Sequence, residues 1–106
     1  MVVVPGSFRD YVVGHPSRPV LVVEVSESSL ALDRDHKGSL YAGAGLADYW
    51  IVNLVDRVVE VYREPGLDPD APFGWRYQRI VAHGREASIV ALASPHALIH
   101  VSDLIL

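Results

Sequence analysis

Apolar positions in this chain fall into short blocks separated by glycine, proline and polar residues. Met1 to Val4 is apolar and β-branched, stops at Pro5-Gly6, and reads as the end of a strand. Residues 5–19 hold Pro5, Gly6, Gly14, Pro16 and Pro19, which predicts a loop, with Phe8 and Tyr11 pinning it to the body. Val20 to Val25 has no polar alternation, so it predicts a central strand covered on both faces. Ser26-Glu27-Ser28-Ser29 then offers N-cap hydroxyls, and a helix is expected from about Ser29 to Ala42, with Gly43 and Gly45 as stops. Within it Asp33, Lys37, Leu40, Tyr41 and Ala44 keep the spacing of one helical stripe, predicted to face the sheet. Gly38 weakens that helix by about 1 kcal/mol relative to alanine, and its small size could allow close approach of a backbone or ligand.

Asp48 to Asn53 is the next predicted strand. Strand, helix and strand with short links imply a right-handed crossover and parallel pairing. Val55-Asp56 turns into Arg57 to Arg63, so a hairpin follows. Glu64 to Gly74, rich in proline and glycine, predicts a loop. Trp75 to Ala82 predicts a strand in which Trp75, Tyr77, Arg79 and Val81 alternate against Arg76, Gln78 and Ile80. Ser88 to Leu92 and Ala97 to Val101 have strand character, and Ser102 to Leu106 adds a closing turn. The expected class is α/β, a mixed sheet with a strand–helix–strand crossover.

Length and composition narrow the picture. At 106 residues one domain, residues 1–106, is the limit. A chain of this size buries about 65% of its unfolded surface, enough for a modest core. Half the residues are hydrophobic, which excludes a disordered chain. No apolar run approaches the roughly 20 residues of a membrane span, and no basic segment precedes an apolar one at the N-terminus. Without cysteine there are no disulfides, thiolate zinc sites or thiol catalysis, and a cytoplasmic protein is the default expectation. The net charge of −4 argues against a broad basic footprint for nucleic acid. Arg9, Arg18, Arg34 and Lys37 do gather in the first part of the chain, although scattered surface charge accounts for them better.

One charge interrupts the central apolar run: Glu24, near the strand's C-terminal end. A carboxylate buried without a partner is costly, so it must protonate, meet a cation or bind a metal. The cation on offer is Lys37, on the helix stripe expected to face the sheet. The pair reads either as a functional site or as a structural ion pair, and Asp33 could hold Lys37 as an ordinary i, i+4 partner. The histidines offer little. His96 and His100 have metal-helix spacing but fall in a strand-like segment, and His36 points a step away from Lys37. Gly43-Ala44-Gly45 follows a helix, whereas phosphate cradles precede one. Tyr49-Trp50 reads as packing.

Five short stretches, taken in order, carry a resemblance: Leu21-Val22-Val23-Glu24-Val25-Ser26, Asp33-Arg34 with Lys37, Tyr41-Ala42-Gly43-Ala44-Gly45, Tyr49-Trp50-Ile51-Val52-Asn53, and Val59-Glu60-Val61-Tyr62-Arg63. The chain resembles the Uma-type restriction endonuclease family, within the PD-(D/E)-x-K nuclease-like superfamily. The resemblance implies a restriction-endonuclease-like fold, a metal-dependent phosphodiesterase site acting on DNA, and Mg²⁺ or Mn²⁺ as cofactor. It assigns Glu24 as the second acid and metal ligand. It assigns Lys37 as the catalytic lysine, displaced onto the helix, with Ser26 where the superfamily more often has lysine. The family's first acid would fall before Met1, which implies an N-terminally incomplete domain with impaired activity. Asp33 and Asp10 are the acids available to substitute. The alternative expectation is a degenerate nuclease fold serving as a binding or oligomerisation module, dimerising through an exposed sheet edge.

Overall fold

The apolar blocks on either side of the predicted helix pair side by side in a computed structural model, which describes residues 2–3 and 20–105. A sheet of five strands runs β1 (Val2–Val3), β2 (Leu21–Ser26), β3 (Asp48–Asn53), β4 (Val58–Leu67) and β5 (Trp75–His83), in that spatial order. β2 and β3 are parallel and every other neighbour is antiparallel, so the sheet is mixed. The link between the parallel pair is helix α1, residues 30–43. A hairpin, β6 (Ser88–Ala91) and β7 (Ser94–His100), and a one-turn helix α2 (Val101–Leu104) complete the chain. The expected loop at 5–19, the contacts of Phe8 and Tyr11, and Asp10 lie outside the described residues.

Strand alternation divides the core between two faces. On one, Val22, Tyr49, Ile51 and Tyr62 meet Ala42 of α1 and the following Leu46. On the other, Leu21, Val23, Trp50 and Val61 meet Ile89 and Ala91 of the hairpin and Val101 of α2. β3 lies under both layers, and all six of its residues are buried. Its first residue, Asp48, is completely buried. It accepts hydrogen bonds from Trp50 Nε1 (2.7 Å), Arg63 Nε (3.0 Å) and the Leu92 amide (3.0 Å). Arg63 also donates to the Val90 carbonyl at 2.6 Å, so an ion pair ties the hairpin to the sheet.

Four expectations need correction. The run from Val20 is not covered to its end: Val25 is 63% exposed, while Ser26 on the opposite face stays buried. The helix stripe is displaced as well. Leu32–Lys37 is wound as π-helix, and the Gly38 amide reaches back to the Asp33 carbonyl, five residues away. Wider winding puts residue i+5 beneath residue i. The buried face is therefore Asp33, Gly38, Ser39 and Ala42, while Leu40 is 48% exposed and Ala44 is exposed beyond the helix end. A Cβ on Gly38 would lie 3.6 Å from the Asp33 carbonyl oxygen, an ordinary contact, so no unusually close approach explains this glycine.

The third correction is β4, which continues through Pro65 and Gly66 to Leu67 instead of ending at Arg63. Its outward bend comes at Glu64, whose φ of 61° is left-handed. The fourth is the alternation of β5. Tyr77 packs with Tyr62 on the helix side, and so does Ile80, three residues on and paired with Tyr62. The parity break falls opposite Glu64. Among the described residues β5 is also an edge strand, which leaves Arg79 and Val81 exposed.

Candidate active site

Glu24 stands on the helix-covered face of β2, in register with Ile51 of β3, which is in register with Glu60 of β4. One row across three strands thus carries two acids with an isoleucine between them. α1 crosses above this row and meets each acid with a different cation.

At Glu24 the partner is Lys37, whose Nζ donates to Oε2 at 3.2 Å, while the Tyr41 hydroxyl donates to Oε1 at 3.2 Å. The same ammonium lies 3.3 Å from Asp33 Oδ1. Asp33 is buried and its Oδ2 accepts from Ser29 Oγ at 3.0 Å. Its Oδ1 has the Lys37 ammonium as its polar contact. The Tyr49 hydroxyl donates to the Asp33 carbonyl at 3.0 Å and anchors the π-wound segment from below. The Glu24 and Lys37 side chains keep 25% and 35% exposure, so the group opens to solvent while its base is closed.

The electrostatics of Lys37 follow from these contacts. The hydrogen bond to Glu24 raises its pKa above the ordinary lysine value, burial opposes, and Asp33 adds to the rise. Lys37 is therefore a fixed cation at neutral pH. Burial raises the Tyr41 hydroxyl, reinforced by Glu24, so it remains a donor.

At Glu60 the partner is Arg34, whose Nε and Nη2 donate to its two oxygens at 3.0 and 2.5 Å. Asn53 Nδ2 donates at 2.8 Å and the Tyr62 hydroxyl at 2.6 Å. Burial by itself pushes the Glu60 carboxyl up, but hydrogen bonds from Arg34, Tyr62 and Asn53 outweigh it and hold the group below its ordinary value. In this second cluster the buried Glu60 carboxylate is fully satisfied, as the acid of a structural ion pair must be to persist.

Of the residues singled out from the sequence, Glu24, Lys37 and Asp33 come together. Asp10 falls outside the described residues. His36 packs edge-on against Phe73 (4.8 Å), and His100 Nδ1 is 2.8 Å from Ser88 Oγ. Glu60, with its ring of donors, was not identified as a partner of Arg34, although its signal matched that of Glu24: one carboxylate in an apolar strand. Among the described residues no three histidine, aspartate or glutamate side chains converge as a metal cage, and the centre offers two carboxylates.

A mixed sheet with a parallel β2–α1–β3 crossover is the fold of an α/β protein of restriction-endonuclease type. The family model for Uma2, described as putative restriction endonuclease, matches residues 1–96, and the chain belongs to that family. No curated protein matches the sequence closely enough to count. No helix among the described residues is long and apolar enough to cross a membrane.

Proposed function

We propose that this chain hydrolyses phosphodiester bonds of DNA at the centre formed by Glu24, Asp33 and Lys37, with a divalent cation. The observation that supports it is one ammonium in contact with two carboxylates at a solvent-reachable rim of the sheet. The donors suit Mg²⁺ or Mn²⁺. Such hard cations take oxygen ligands, and Mg²⁺ commonly uses one or two carboxylates and keeps several waters. Glu24 and Asp33 would hold it; Asp33 Oδ1 is buried with the Lys37 ammonium at 3.3 Å as its polar contact, so an ion there would share that oxygen with the lysine. When bound, the cation polarises a phosphate oxygen and lowers the pKa of a coordinated water.

The chain's own groups have distinct tasks. Lys37 is charged at neutral pH, so it does not remove a proton; it orients the attacking water or offsets the negative charge growing on the phosphoryl oxygens. Tyr41 fixes the Glu24 carboxylate by donating to Oε1. Ser29 fixes Asp33 from the other side. Incubating supercoiled DNA with the protein and Mg²⁺ or Mn²⁺ tests the reading. Nicking that disappears in Glu24→Gln and in Lys37→Met supports it, and nicking that survives both refutes this centre.

A further inference from the structure

A cleft of about 510 Å³ opens on the far side of α1 from Glu24, between the helix and the outer part of β4 and β5. Its size lies within the range usual for small-molecule sites. The walls are Tyr62, Trp75, Tyr77 and Ile80, brought to one side by the parity break in β5. Four charged residues line it: Arg34, Asp35, Asp70 and Arg76.

The sign of the cleft depends on which of these charges are already matched. Arg34 is paired with Glu60, and Arg76 Nε lies 2.8 Å from Asp68 Oδ2. The carboxylates of Asp35 and Asp70 have no partner among the described residues. The cleft thus joins aromatic faces to two uncompensated negative charges. An aromatic anion such as a nucleotide would meet like charge there, whereas a flat cation gains from both the ring faces and the carboxylates. We propose that this cleft binds a small, flat organic cation of the amidinium or guanidinium class. The inference is independent of phosphodiester hydrolysis at Glu24.

The two tryptophans make the test internal to the protein. Trp75 lines the cleft, while Trp50 is 1% exposed and hydrogen-bonded to Asp48, so their two indole N–H signals in a ¹H–¹⁵N spectrum serve as reporter and reference. The full chain is titrated with benzamidine, its neutral isostere benzamide, and adenosine monophosphate. The expected result is a saturable shift of the Trp75 signal with benzamidine alone, with Trp50 unmoved. Asp35→Asn and Asp70→Asn, both exposed positions, should each weaken binding by about two- to fivefold, the usual effect of one exposed charge. The proposal is overturned by no saturable shift with benzamidine, by benzamide or the nucleotide binding as well as benzamidine, or by both asparagine variants binding as tightly as the parent. An unmoved Trp50 signal in the variants verifies that they are folded.

Discussion

The Lys37 ammonium lies 3.2 Å from Glu24 Oε2, joining the π-wound segment of α1 to the open end of β2. Thirteen positions of chain separate the two residues, and the β2–α1–β3 crossover brings them together. Because that contact raises the lysine's pKa, its contribution to stability is complete below the unfolded value and is lost as pH rises through the folded one. The urea midpoint should stay level from neutral pH to the ordinary lysine value of 10.5 and decline above it. Tyr41, Tyr49, Tyr62 and Tyr77, whose hydroxyls burial also raises, weaken the fold in the same alkaline range, so the lysine's share is the difference between the parent and Lys37→Met; with the side chain 35% exposed, solvent screening keeps that difference to a few tenths of a kcal/mol. An activity profile with a lysine ionisation near pH 7 would contradict this assignment.

In the proposed centre the ammonium and a divalent ion would draw on the same carboxylate oxygens. Lys37→Met should therefore bind Mn²⁺ more tightly than the parent while losing DNA hydrolysis. Calorimetric titration reads the first and plasmid nicking the second. Weaker Mn²⁺ binding in the variant would mean that the lysine supports the ion instead of competing with it.

Glu60 is the structural counterpart. Glu60→Ala strips the acceptor from Arg34, Asn53 and Tyr62 together. Breaking a buried pair costs about 3–5 kcal/mol, and with Arg34 42% exposed a smaller loss, about 2–3 kcal/mol by urea unfolding, is expected. The pH dependence has the opposite sign to that of Lys37. A depressed carboxyl stabilises above its unfolded value and loses that contribution as pH falls through the folded one, so acid should destabilise the parent below about the ordinary 4.5. Glu60→Gln should flatten that acid limb. A variant as acid-sensitive as the parent would remove Glu60 as the cause.

Gly38→Ala should stabilise. The backbone there is right-handed helical, with φ −58° and ψ −46°, and a Cβ meets nothing nearer than 3.6 Å. Replacing a helical glycine then restricts the unfolded chain at no steric cost, worth about 0.4–1 kcal/mol. A melting temperature raised by about 2–6 °C is expected. A lower one would mean that the π-wound turn depends on glycine's freedom.

Much of this was legible in the residues, and the exceptions share a cause. The apolar block around Val22 and the aromatic block at Tyr49-Trp50 specified β2 and β3, and the short links fixed their parallel pairing. Glu24 and Lys37 could be joined because Glu24 was the lone charge in the apolar strand and Lys37 the one cation on the stripe expected to face it. Asp33 was legible on the stripe turned toward the sheet and is buried there, but the π winding, which leaves no mark in a 3.6-residue pattern, puts Gly38, Ser39 and Ala42 on that face in place of Leu40 and Ala44. Glu64 hid the course of β4 and the side on which Tyr77 packs in the same way, since a left-handed residue flanked by Pro65 and Gly66 reads as a loop. Local backbone departures of this kind are set by tertiary contacts, here the Tyr49 hydroxyl on the Asp33 carbonyl and the long pairing of β4 with β5.

The account rests on Glu24 and Asp33 acting as two ligands of one ion. The most direct test is the change in melting temperature with Mn²⁺ in the parent, Glu24→Gln, Asp33→Asn and Glu60→Gln. At about 100 times the dissociation constant, binding adds about 2.7 kcal/mol. A rise of several degrees is predicted for the parent and Glu60→Gln, and none for the other two. No rise in the parent, or an undiminished rise in Glu24→Gln and Asp33→Asn, would contradict it.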